Sequence, residues 1–256
     1  MRNDEPFFIG WSNSPPAAIL RFSLACAAGL LLILGLLGYG LGGAIDDPSR
    51  NLFAGISSAP QTKPQDWLGD QVLTGVLTHR PSPVLHLPPT PAAPFGRAII
   101  LSGDGKRGAT VPAGGVGVTL VGGVLRRGDI EMLVVGDEAK PAAAPMAVPA
   151  PIPLGRWRAV GEICDGKCYP GGMKPGSGMA HRACAALCIT GAVPALFIVA
   201  APVGGASSLL LAGPDGGPPS EALVALAGRP VELEGEVERL GTITVFRVDP
   251  AKARMP

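Results

Sequence analysis

The chain reads as mainly β: one N-terminal transmembrane helix, then two tandem OB-like small β-barrels, the second with a Cys-rich insertion between its first and second strands. Three observations lead there. Gly (37) and Pro (28) are dense in 256 residues of which 47% are hydrophobic, so turns are frequent although the apolar content is too high for a disordered polymer. A single long uncharged run lies near the N-terminus, and a hairpin pattern occurs twice downstream of it. The glycines follow no three-residue period, which excludes collagen, and turn-formers this dense disfavour a large helical bundle. With aromatics at 5%, any core is built from Val, Leu, Ile and Ala.

From Phe22 to Ile45 the chain runs 24 residues without a charge. As a helix that is about 36 Å, enough to cross a hydrocarbon core of about 30 Å. The run exceeds the apolar core of a signal peptide and ends Gly-Gly-Ala-Ile-Asp-Asp. We therefore expect an uncleaved anchor. Arg2 and Arg21 precede it and Arg50 and Lys63 follow, with Asp46 and Asp47 just past its end. That slight bias places the N-terminus inside, in an inner (plasma) membrane, with the rest of the chain periplasmic or otherwise outside the cytoplasm. The expected organisation is a cytoplasmic tail (1–21), the helix (22–45) and a linker (46–66).

Beyond the linker the sequence resembles itself. Residues Val118–Val135 (VTLVGGVLRRGDIEMLVV) and Val231–Val248 (VELEGEVERLGTITVFRV) share eight identities in 18 ungapped positions. Each reads as a hairpin turning at Arg-x-Gly, with the period of two of half-buried strands. Upstream, Ile99-Ile100-Leu101 corresponds to Leu210-Leu211-Ala212, Pro83–Leu87 to Pro194–Ile198, and Thr74–Leu77 to Val160–Ile163. In the second copy Ser220 and Gly228 bracket a short helix as N-cap and stop. Strand, strand, strand, short helix, strand, strand resembles the OB-fold class over residues 67–138 and 154–250, with a generic small barrel or SH3-like module as the alternative. A proline-spaced, semi-rigid linker (139–153) joins the two.

The second copy carries 25 additional residues between its first two strands, and all four cysteines outside the apolar run lie there. Cys164, Cys168, Cys184 and Cys188 form two C-x3-C pairs within an insertion spanning 164–191, together with His181, Met173, Met179, Lys167, Lys174 and Arg182. Asp-Gly between the first pair reads as a turn. The second pair shares one face of a helix from about Met179 to Thr190, stopping at Gly191. Three readings stay open. Two structural disulfides are what an oxidising compartment stabilises. A metal site would favour copper, since thiolates and thioethers select Cu(I). A redox dithiol would be activated by Lys167, His181 or Arg182.

The twin C-x3-C spacing resembles that of the small chaperones of the mitochondrial intermembrane space, an analogy for a disulfide pattern. Cys164-x3-Cys168 followed by Met173 and His181 resembles copper-binding cytochrome oxidase subunits and their copper-delivery proteins, with the order of Met and His reversed.

Several chemistries are absent. There is no C-x-x-C-H, Walker A loop, G-x-S-x-G or H-E-x-x-H. Gly103-Asp-Gly105-Lys-Arg-Gly108 fits G-x-G-x-x-G but lies in no βαβ unit, so it reads as a turn. His79 and His86 read as loop and strand residues, and Trp67 and Trp157 as residues preceding each first strand and capping a barrel end. Net charge is +1 without a basic run, which makes nucleic acid an unexpected partner. No catalytic constellation is complete. The expectation is a membrane-anchored, non-catalytic accessory or assembly subunit of a membrane complex, a respiratory or other redox assembly among them. It would engage a protein partner through a disulfide-braced loop. A copper-binding or thiol-redox protein is the alternative.

Overall fold

A computed structural model describes residues 16–45, 65–136, 139–142 and 146–256. Most of the expected tail and first linker, with the charges Arg2, Asp46, Asp47, Arg50 and Lys63, lie outside them. The apolar run forms helix α1 (Ala17–Ile45), which starts five residues before the expected Phe22 and takes in Arg21. Its Ala17–Leu41 stretch has mean hydropathy 2.2 and no buried part. A helix apolar all round and this long is suited to lipid, as an anchor or as a signal sequence.

The remaining chain folds as two closed five-stranded barrels. The first comprises β1 (Gln65–Thr78), β2 (Val84–Leu87), β3 (Arg97–Ser102), β4 (Gly117–Arg127) and β5 (Ile130–Val135), ordered β1-β2-β3-β5-β4 and closed by β4 on β1. A short β6 (Lys140–Pro141) adds to β4. The second comprises β7 (Pro151–Asp165), β8 (Ala195–Val203), β9 (Ala206–Ala212), β10 (Pro230–Leu240) and β11 (Ile243–Val248), in the same cyclic order. In each barrel the third strand runs parallel to the fifth and the other pairings are antiparallel. This is the OB arrangement expected from element order. The two aligned hairpins fall on β4–β5 and β10–β11.

Alternation builds each interior. Along β4, Val118, Leu120 and Val124 point inward, and along β10 Val231, Leu233 and Val237 point inward with glutamates and a glycine between them. Some strands are buried on both faces. Ile99 and Leu101 fill the first barrel while Ile100 faces outward, and Phe197 and Leu209 fill the second while Leu196, Ile198 and Leu210 face outward. Those outward residues join Val84, Ile130, Met132 and Val245 in one apolar cluster contributed by both barrels. The barrels are therefore packed against each other, and not merely strung on a spacer. Backbone N–H groups of Ser207 and Ser208 donate to Asp129 Oδ2 (2.6 and 3.2 Å) across the same junction.

Several local expectations are corrected. β1 and β7 begin inside the expected linkers, at Gln65 and Pro151, so Trp67 and Trp157 lie within the first strands and not before them. Trp67 is exposed and lies against Gly123, where a Cβ would come within 2.3 Å of its ring. Trp157 packs on the second core and donates from Nε1 to Leu154 O at 3.0 Å. The insertion folds as a tight turn (Cys168–Gly172), a 3-10 turn (Met179–His181) and helix α2 (Arg182–Thr190). A one-turn helix α3 (Glu221–Val224) follows β9, with Ser220 at the expected N-cap position but making no side-chain cap bond. Ala185 and Ile189 of α2 and Leu223 of α3 enter the second core.

Candidate metal centre

Helix α2 presents Cys184 and Cys188 four residues apart, and therefore on one face. Opposite them, Asp165 ends β7 and shapes the turn that follows: its Oδ1 accepts from the backbone N–H of Lys167 (3.1 Å) and Cys168 (2.8 Å). That turn aims Cys168 at α2. The Sγ atoms of Cys168, Cys184 and Cys188 lie within 4.8 Å of one another. Cys168 and Cys188 are buried and packed with Val193, whereas Cys184 is half-exposed. Met173, an exposed residue of the insertion, brings its thioether to 3.7 Å from Cys184 Sγ.

A second group shares Cys168. Ligand atoms of Asp165, Cys168 and His181 also lie within 4.8 Å of one another, all three residues being buried. His181 Nε2 and Asp165 Oδ2 are hydrogen-bonded at 2.7 Å. His181 thus stands beside the sulfur cluster and belongs to its flanking group.

Cys164 stands apart. It faces the inter-barrel apolar cluster and donates from Sγ to Glu162 Oε1 at 3.2 Å. All five cysteines are free thiols. Of the four cysteines in the insertion the fold groups three, while the Cys164 thiol is turned into a different cluster. Met179 is exposed on the 3-10 turn. Cys26 lies on α1 and is exposed.

Burial raises three of the thiols. Cys188 is pushed up to about 12 by desolvation, with the Asp165 carboxylate next in effect. Cys168 is raised by the same two causes, again with desolvation the larger. Cys164 is raised well above its ordinary value by complete burial and by Glu162. Burial also raises the Glu162 carboxyl, partly offset by the backbone N–H of Gly178 and the Cys164 thiol. A metal ion bound at Cys168 and Cys188 would have to displace their thiol protons.

Residues from the first barrel complete the surroundings, and sequence reasoning did not find them. The Gly103–Gly108 turn between β3 and β4 docks on the insertion: Lys106 Nζ donates to Cys184 Sγ at 3.2 Å, and the Gly108 N–H donates to Gly191 O at 2.7 Å. Lys167, read as a thiol activator, instead donates from Nζ to the backbone carbonyls of Gly103 and Gly105. Arg182 reaches the Ala225 carbonyl at 3.5 Å. Buried Arg127, at the end of β4, stacks its guanidinium 4.3 Å from the Tyr169 ring centroid and donates from Nη1 to Tyr169 O at 3.1 Å, pinning the Cys168 turn.

Helix α2 stops at Gly191, as the sequence predicts. The glycine's φ is −78°, and Ala192 takes the positive φ (68°). Glycine is required there because a Cβ would lie 1.9 Å from Lys106 O. The Gly-x-Gly-x-x-Gly pattern was the available signal, since so many glycines in one turn also mark close backbone approach.

No protein-family model, curated protein or solved structure matches the chain.

Proposed function

We propose that this protein is a single-pass membrane protein whose paired barrels hold a soft monovalent ion, Cu(I), outside the cytoplasm. It serves as an accessory or assembly subunit of a membrane complex and not as an enzyme with its own substrate. The observation that carries this reading is the convergence of three thiols, Cys168, Cys184 and Cys188, within 4.8 Å, with the Met173 thioether 3.7 Å from Cys184. An all-sulfur set of three suits Cu(I), whereas a structural zinc site closes a tetrahedron with four ligands. His181 does not join the three sulfurs as a fourth ligand. Half-exposure of Cys184 and exposure of Met173 leave a route by which a donor or acceptor protein can exchange the ion. Placement outside the cytoplasm is supported by the long apolar helix, with Arg2 before it and Arg21 near its start.

The test is metal analysis of the full chain purified without oxygen in detergent and offered Cu(I) in competition with a Cu(I) chelator. The expected result is tight Cu(I) retention that Cys184→Ser abolishes and Cys26→Ser leaves intact. A chain that is metal-free and carries a disulfide among the three thiols would overturn the reading in favour of a structural or redox bridge.

A further inference from the structure

The geometry points to a second, divalent cation at Asp165, Cys168 and His181, bridged to the first through the Cys168 thiolate. This rests on the three-thiolate reading and extends it. Two independent sets of donors converge on one sulfur: Cys184 and Cys188 from one side, Asp165 and His181 from the other, with the ligand atoms of each set within 4.8 Å of one another. A thiolate has lone pairs enough for two metals, and Cys168 is the only residue common to both sets.

Donor chemistry separates the two positions. The outer set is sulfur alone and suits a soft monovalent ion. The inner set is one carboxylate, one imidazole and one thiolate, the mixture that zinc takes. In the metal-free protein the 2.7 Å hydrogen bond between His181 Nε2 and Asp165 Oδ2 holds these donors side by side. A divalent ion takes the place of that shared proton, the imidazole proton then residing on Nδ1.

Charge balance points the same way. Three thiolates and one carboxylate carry four negative charges in a largely buried pocket. Lys106 at Cys184 supplies one positive charge and Cu(I) a second. A divalent ion at the inner position offsets negative charge that Lys106 and Cu(I) leave, and burying uncompensated charge is strongly unfavourable. The thiol protons released on loading go to solvent.

Both ions can be followed in one experiment. The full chain, loaded anaerobically with one equivalent of Cu(I), is titrated with Zn²⁺, desalted and analysed for both metals. We expect one copper and one zinc per chain in the wild type, and one copper with no zinc in His181→Gln. Co²⁺ in place of Zn²⁺ should give a thiolate-to-cobalt charge-transfer band in the wild-type chain, which keeps the proposal open to refutation if the variant fails to fold. Copper retained without zinc or the cobalt band overturns the second site and leaves the three-thiolate reading standing. Zinc retained equally by His181→Gln also overturns it. Failure to bind Cu(I) at all overturns the three-thiolate reading itself.

Discussion

Lys106 Nζ, on the β3–β4 turn of the first barrel, donates a hydrogen bond of 3.2 Å to Cys184 Sγ on α2 of the second. The contact joins the candidate metal centre to a barrel that contributes none of its ligands. Of the three glycines in the β3–β4 turn, Gly108 marks the close approach, since a Cβ there would meet the Ala192 carbonyl just past α2. Contact with Cys184 in turn raises Lys106, first through this hydrogen bond, and so keeps its ammonium charged beside the thiolate.

Removing that charge should weaken the metal centre without dismantling it. Lys106→Met is expected to lower Cu(I) affinity roughly threefold to tenfold, with a smaller difference at high salt because Lys106 is exposed and screened. Lys106→Arg should retain most of the affinity. Chelator competition at two ionic strengths measures both, and equal affinity of Lys106→Met and wild type would remove the lysine from the account.

Gly191→Ala should undock the turn. The added Cβ would meet Lys106 O at 1.9 Å, backbone that cannot rotate away, while the φ of −78° imposes no strain of its own. Overpacking of this kind costs about 1–3 kcal/mol. We expect a lower Tm and faster alkylation of Cys184 by a thiol reagent. Gly105→Ala is the control: its φ of +60° adds backbone strain, but nothing lies within 4 Å of the new Cβ, so Cys184 alkylation should stay slow.

Cys164→Ala should separate stability from metal binding. The substitution leaves a small cavity in the inter-barrel cluster and takes a donor from Glu162. A loss of about 1–2 kcal/mol is expected in urea unfolding. Metal content should be unchanged, and a fall in copper would return Cys164 to the ligand set.

His86 should make the barrels acid-sensitive. It is 5% exposed, its Nε2 is hydrogen-bonded to Thr78 Oγ1 at 2.9 Å, and its Nδ1 has no partner. Burial lowers it from 6.5 to about 4. Because the folded state favours the neutral ring, its contribution is intact above 6.5 and is lost as pH falls toward about 4, amounting to about 2–3 kcal/mol. Urea unfolding followed by tryptophan fluorescence at pH 7 and pH 4.5 should show a smaller acid loss in His86→Leu. An identical loss in the variant would place the acid sensitivity elsewhere.

The barrels were legible in the sequence because alternation along Val118–Val135 and Val231–Val248 records which side of each strand meets a core. The packing of barrel on barrel left a signal as well. Ile99-Ile100-Leu101 and Leu209-Leu210-Leu211 are continuous apolar runs, as strands buried on both faces are. Spacing identified Cys184 and Cys188 as neighbours, since four residues is a helical turn. It could not show that Cys168 joins them while Cys164 does not. Those two lie on a strand end and the turn after it, and that turn is set by Asp165 taking two backbone N–H groups. Lys106 and Arg127 were beyond reach, because their partners are some 80 and 40 residues away in sequence, a separation no local period encodes.

X-ray absorption at the copper edge of the anaerobically loaded full chain tests the central claim most directly. The account predicts Cu(I) in a shell of three sulfur atoms at roughly 2.3 Å, reduced in sulfur number by Cys188→Ser. A shell of nitrogen and oxygen, or three-sulfur ligation that persists in Cys188→Ser, would contradict it.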